Sequence, residues 1–86
     1  MNYKTIHKLI MSGLYADLQS SIDSGLCWKL EGSFGRAAME ALESGACILG
    51  KEPQKDYYGN IVPSYNQVAK GSKGSLERAF EYYNED

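Results

Sequence analysis

Apolar residues recur at three-and-four spacing through the first half of the chain. Tyr3, Ile6, Leu9 and Ile10 share one face of a helix predicted over Asn2 to Met11. Ser12 and Gly13 interrupt it. Leu14, Leu18 and Ile22 then repeat the spacing up to Gly25, which supplies a left-handed stop. A third helix opens at Gly32-Ser33, carries Phe34, Ala37, Ala38, Ala41 and Leu42 as its apolar stripe, and ends at Gly45. Leu76, Ala79, Phe80 and Tyr83 form a short last helix capped by Ser72 or Ser75. The expected core is Ile6, Leu9, Leu18, Ile22, Leu26, Trp28, Phe34, Ala38, Leu42, Ile48 and Phe80.

The second and third helices end alike. Ile22-Asp23-Ser24-Gly25-Leu26-Cys27-Trp28 precedes Leu42-Glu43-Ser44-Gly45-Ala46-Cys47-Ile48 by twenty residues. Shared capping chemistry accounts for this without an internal duplication, and it predicts positive φ at both Gly25 and Gly45.

After Gly50 the pattern changes. Lys51 to Asp56 is polar, Tyr57-Tyr58-Gly59-Asn60 reads as a turn, and Ile61-Val62-Pro63 as a short extended piece. Pro63 forbids a long central strand, so the sheet expected is a small ribbon pairing Cys47-Ile48-Leu49 with Ile61-Val62. The fold class is therefore mainly α with a small β ribbon (α+β). It has three main helices, a short C-terminal helix and a loop-rich section around residues 50–75.

Composition narrows the function classes. The chain has 86 residues, a formal charge of -2, 43% apolar and 23% charged residues, which describes one small domain spanning 1–86. A domain of this size has a thin core and little room for a deep private catalytic cavity, so a binding module is favoured over an enzyme. No run approaches the roughly 20 apolar residues a membrane-spanning helix needs. Lys4 and Lys8 are not followed by the apolar region of a signal peptide, so the expected location is the cytoplasm. In that compartment Cys27 and Cys47 are expected as reduced core thiols rather than a disulfide.

Two glycine-rich helix starts could hold an anion. Gly32-Ser33-Phe34-Gly35-Arg36 offers free backbone donors and a guanidinium, although an ordinary N-cap with Arg36 paired to Glu40 explains it as well. Lys70-Gly71-Ser72-Lys73-Gly74-Ser75 lacks the Walker A spacing. It could still form a nest of donors, giving Ser33, Arg36, Lys70, Lys73 and Ser75 as candidate anion ligands. Whether the two starts converge in space is left open by the sequence.

The seven tyrosines outnumber the two phenylalanines, and such amphipathic rings suit half-wet surfaces. Tyr3, Tyr15, Tyr82 and Tyr83 belong with the helices and close the edges of the core. Tyr57, Tyr58 and Tyr65, with Asn60, sit among turn residues and are the candidate partner contacts. His7 is the lone histidine, and no zinc spacing or nucleophile motif occurs, so neither catalytic residues, metal nor cofactor is expected.

Taken in order, Gly32-Ser33-Phe34-Gly35-Arg36-Ala37-Ala38-Met39, Tyr58-Gly59-Asn60-x-Val62-Pro63-Ser64 and Lys73-Gly74-Ser75 carry a resemblance over about residues 1–80. On these motifs the chain resembles small uncharacterised early-gene proteins of short-tailed bacteriophages of the autographivirus type (podoviruses). The resemblance implies a setting, the cytoplasm of an infected bacterium, in which such proteins often bind and redirect or inhibit a host factor. The first expectation is thus a noncatalytic protein that binds a host protein. The alternative is a module for a phosphate-bearing ligand, a nucleotide or a nucleic-acid backbone, held at the two glycine-rich helix starts. Long nucleic acid is disfavoured by the eleven carboxylates.

Overall fold

Helix boundaries in the computed structural model, which describes residues 2–29 and 33–84, fall where the capping residues stand. Gly32, expected to open the third helix, and Glu85 and Asp86 lie outside the described residues. Helix α1 (Tyr3–Met11) starts under the Asn2 side chain, which accepts from Thr5 N at 2.9 Å. Helix α2 (Ala16–Ser24) stops at Gly25, φ 83°. A short helix α3 (Leu26–Lys29) follows it, and α4 (Ser33–Ser44) runs to Gly45, φ 98°. Strands β1 (Gln54–Lys55) and β2 (Ile61–Val62) pair antiparallel, Gln54 opposite Val62 and Lys55 opposite Ile61. After a 3-10 turn at Tyr65–Gln67, Ser75 caps α5 (Leu76–Tyr83) by accepting from Arg78 N at 3.2 Å. The architecture is mainly helical with one small antiparallel ribbon, as the spacing predicts.

The matched helix endings use the same hydrogen bonds. Ser24 Oγ donates to Ser21 O and accepts from Leu26 N, while Ser44 Oγ donates to Ala41 O and accepts from Ala46 N. Each bridge lets the chain leave its helix through a glycine at positive φ, the conformation a β-carbon disfavours.

The ribbon differs from the expected one. Cys47, Ile48 and Leu49 are buried but form no strand, and β2 pairs instead with the polar Gln54–Lys55. The reason is Gln19, fully buried on α2. Its Oε1 accepts from Ile48 N and its Nε2 donates to Ile48 O, both at 2.9 Å, so one side chain supplies the bonds a neighbouring strand would give. Leu49 N donates to Gly74 O, and Cys47 N to Ala41 O, each at 3.1 Å. A buried backbone must be satisfied, and here it is satisfied without a sheet.

The core differs in membership from the one expected, and Leu18 is only partly buried against it. It gathers Ile6, Ile10, Ile22, Cys27, Trp28, Ala38, Ala41, Leu42 and the 46–49 segment, joined by Ala79. Leu9, Leu26, Phe34 and Phe80, expected inside, are exposed. On α1 the buried stripe is only Ile6 and Ile10, which leaves Leu9 on its flank. On α5 the small Ala79 faces inward where helices approach closely, so Phe80 turns out. Leu14 lies in the turn before α2 and is 99% exposed, so it contributes nothing to the stripe of that helix.

Candidate functional site

A cleft of about 610 Å³ opens between α4 and the β1–β2 hairpin. Its inner part is apolar: Trp28 from α3, Met39 and Leu42 from α4, and Leu49 from the buried segment. On α4 the spacing of Arg36, Met39, Glu40 and Glu43 places all four on the face turned to the cleft, beside the core-facing Ala38 and Ala41.

The opposite wall is built by Asp56. Its Oδ1 accepts from Tyr58 N at 2.9 Å and Asn60 N at 2.8 Å, and its Oδ2 accepts from Asn60 Nδ2 at 3.4 Å. Gly59, at φ 86°, completes the turn by donating to Asp56 O at 3.0 Å. An aspartate that bonds the backbone ahead of it fixes the tight turn joining β1 to β2. The turn brings Tyr57 and Tyr58 edge to face, centroids 5.0 Å apart, at the cleft mouth. Tyr57 is 55%, Tyr58 71% and Ile61 63% exposed, so three large apolar side chains of one hairpin stand in solvent at the same opening.

The sequence candidates separate on this geometry. Tyr57 and Tyr58 line the cleft, whereas Asn60 serves the turn through Asp56. Tyr65 packs against Tyr3, centroids 4.7 Å apart, on a different surface. Arg36 and Lys73, one from each glycine-rich start, do meet on the one cleft, but Ser33 and Lys70 do not line it. Ser75 is buried and holds the α5 N-cap. The second start offers little as a nest, since Ser72 N, Gly74 N and Ser75 N already donate to Ala69 O, Leu42 O and Ser72 O. Arg36 forms no ion pair with Glu40; among the described residues the one contact between a basic side chain and a carboxylate at ion-pair distance is the hydrogen bond of His7 with Asp23.

Charge in the cleft is mixed. Arg36 shares its face of α4 with Glu40 and Glu43, and Lys73 and Asp56 also line the cleft, around an apolar floor. Sequence reasoning missed Trp28 and Ile61 as cleft residues, the first because it reads as core and the second as a ribbon residue. It also missed Arg78, whose Nε and Nη1 donate to Gly71 O and Glu43 O, each at 3.0 Å, tying the Lys73 loop to the end of α4.

Cys27 also lines the cleft, but burial pushes its thiol up to about 11, against a smaller opposing hydrogen bond from Ser21. Cys47 is raised further, to about 12, by burial and then by the charge of Asp23. Both are free thiols held protonated, the opposite of an activated nucleophile. Among the described residues no group of three or more His, Cys, Asp or Glu side chains is placed to hold a metal ion. Nor is any helix there long and apolar enough to cross a membrane. No family model, curated protein or solved structure matches the chain.

Proposed function

We propose that the protein is a noncatalytic binding module of the bacterial cytoplasm that grips a host protein through the cleft between α4 and the hairpin, in the early-phage setting its resemblance implies. The observation that carries this reading is the exposure of Tyr57, Tyr58 and Ile61 at the mouth of an apolar cleft. Solvent-facing aromatics around an apolar recess, with charge of both signs at the edge, match the anatomy of a protein interface, in which a few buried anchors carry most of the energy. A segment with an apolar side chain for the Trp28–Leu42 recess, flanked by charge, is the matching partner surface.

A phosphate-bearing ligand is the alternative, favoured by Arg36 and Lys73 sharing the cleft. It is weakened by the three carboxylates beside them and by the loop donors already bonded to carbonyls. The test is capture from bacterial lysate by purified wild type, Tyr57→Ala, Tyr58→Ala and Arg36→Ala, with thermal unfolding of each and assay of nucleotide released on denaturation. A stoichiometric protein held by wild type and lost by the tyrosine variants, at unchanged unfolding midpoints, supports the reading. A released nucleotide that Arg36→Ala lacks, with no protein captured, transfers the cleft to the alternative.

A further inference from the structure

A second concavity, of about 550 Å³, runs along α1 and differs in kind from the cleft. Lys4, Lys8 and Lys51 line it, with His7 and Asp23. Lys4 and Lys8 are four residues apart on one helix, where like charges repel and destabilise. Lys4 also sits in the first turn, at the positive end of the helix dipole, where a cation is unfavourable. Lys51 is positioned rather than loose, since its ammonium lies 5.3 Å from the centroid of the Tyr3 ring.

None of the three lysines has a carboxylate within ion-pair distance among the described residues. Asp23 is the one carboxylate that lines the hollow, and it is fixed away from the lysines: its Oδ2 is bonded to His7 Nε2 at 2.5 Å and its Oδ1 accepts from Gln19 Nε2 at 2.9 Å, with Gln19 anchored in turn on Ile48. Tyr3 stacks on His7, centroids 5.2 Å apart, and also packs against Tyr65, so its ring has no free face for a planar base. A chain of net charge -2 thus gathers three ammonium groups around one hollow lined by a single carboxylate, an excess of positive charge that a bound anion would offset.

We propose that the α1 groove binds a compact oligophosphate, free or nucleotide-borne, through Lys4, Lys8 and Lys51. Lysines act as mobile point charges, which suits a phosphate chain read by charge rather than by shape. The occupied Tyr3 ring means that a nucleoside adds little to recognition. This site is independent of the cleft and stands whether or not the cleft binds a protein.

Isothermal titration calorimetry at low salt, with sodium tripolyphosphate, ATP and adenosine as separate probes, tests it. Tripolyphosphate and ATP bind at one site with similar affinity that falls steeply as salt rises, and adenosine does not bind. Lys51→Ala weakens tripolyphosphate about fivefold and Lys4→Ala/Lys8→Ala about twentyfold. Arg36→Ala leaves it unchanged. These lysines are exposed, so the variants stay folded; Lys51→Ala unfolds near the wild-type midpoint and Lys4→Ala/Lys8→Ala at or slightly above it, as the repulsion along α1 is relieved. Absence of saturable tripolyphosphate binding overturns the proposal, as does binding lost in Arg36→Ala but kept in the double lysine variant. Adenosine binding as tightly as ATP also overturns it.

Discussion

The two walls of the cleft are made in different ways. The α4 wall is continuous with the core: Ala38, Ala41 and Leu42 are buried on the same helix that presents Arg36, Met39 and Glu43 to the opening. The hairpin wall rests on a two-residue ribbon and the bonds that Asp56 makes to its own turn, and its large side chains stand in solvent. The apolar part of the first wall therefore cannot be altered without touching stability, while the other wall can be stripped of contact area with the fold left in place. This division is what a binding surface requires, a rigid seat beside adjustable anchors.

The sharpest way to break the comparison uses the paired glycines, which end α4 and α2 with the same residues. A β-carbon at Gly45 would lie 2.6 Å from Arg78 O and 2.9 Å from Tyr82 Cβ, so the α5 backbone must shift. At Gly25 it would meet the far end of the Gln54 side chain at 2.7 Å, which can swing aside. Gly45→Ala is expected to cost about 3 kcal/mol, strain plus overpacking. Gly25→Ala costs only about 1 kcal/mol, the left-handed penalty alone. Urea unfolding of both variants checks the order; equal losses would mean that the two seats are alike.

Alkali attacks the same core under α4. Cys47, Cys27, Tyr3 and Tyr83 all have pKa values raised in the fold, to about 12, 11, 12 and 12, with burial the largest cause in each. A raised value means that the unfolded chain loses the proton first. The stabilisation is therefore complete below the unfolded values of 9.0 and 10.0 and declines as pH rises from there toward 11 to 12. Urea midpoints are expected to hold up to about pH 8 and fall beyond pH 9, less steeply in Cys47→Ala. A flat profile through pH 10.5 or so would contradict the burial of these groups.

On the other wall, Asp56→Ala removes the acceptor for Tyr58 N and Asn60 N at an exposed turn. The global loss is about 1 kcal/mol or less. Hydrogen exchange speeds at Tyr58 and Asn60 while the α4 amides keep their protection; loss of protection in α4 as well would show that the walls are not separable.

Much of the first wall was legible in the sequence, because Ala38, Leu42 and the Ser44-Gly45 ending obey local rules of periodicity and capping. The turn at Tyr57–Asn60 was legible for the same reason. What stayed hidden depended on long-range satisfaction of polar groups. Nothing in the neighbourhood of Gln19 announces that it will serve as a strand for Ile48 thirty or so residues away, so the apolar 47–49 segment read as β. The convergence of Arg36 with Lys73 likewise follows from Arg78 binding Gly71 and Glu43, a contact with no local signal. The basic groove was overlooked because Lys4, Lys8 and Lys51 are unremarkable until the fold brings Lys51 over Tyr3.

The central claim is that the hairpin aromatics, and not exposed apolar surface in general, hold the partner. Leu14 is the control, being 99% exposed and outside the cleft. The decisive measurement is the dissociation constant of the captured partner for wild type, Tyr58→Ala and Leu14→Ala. Loss of the anchor in Tyr58→Ala is expected to weaken binding about thirtyfold, or about 2 kcal/mol, while Leu14→Ala binds as wild type does. Wild-type affinity in Tyr58→Ala together with a loss in Leu14→Ala would contradict the account and move the interface to the α1–α2 corner.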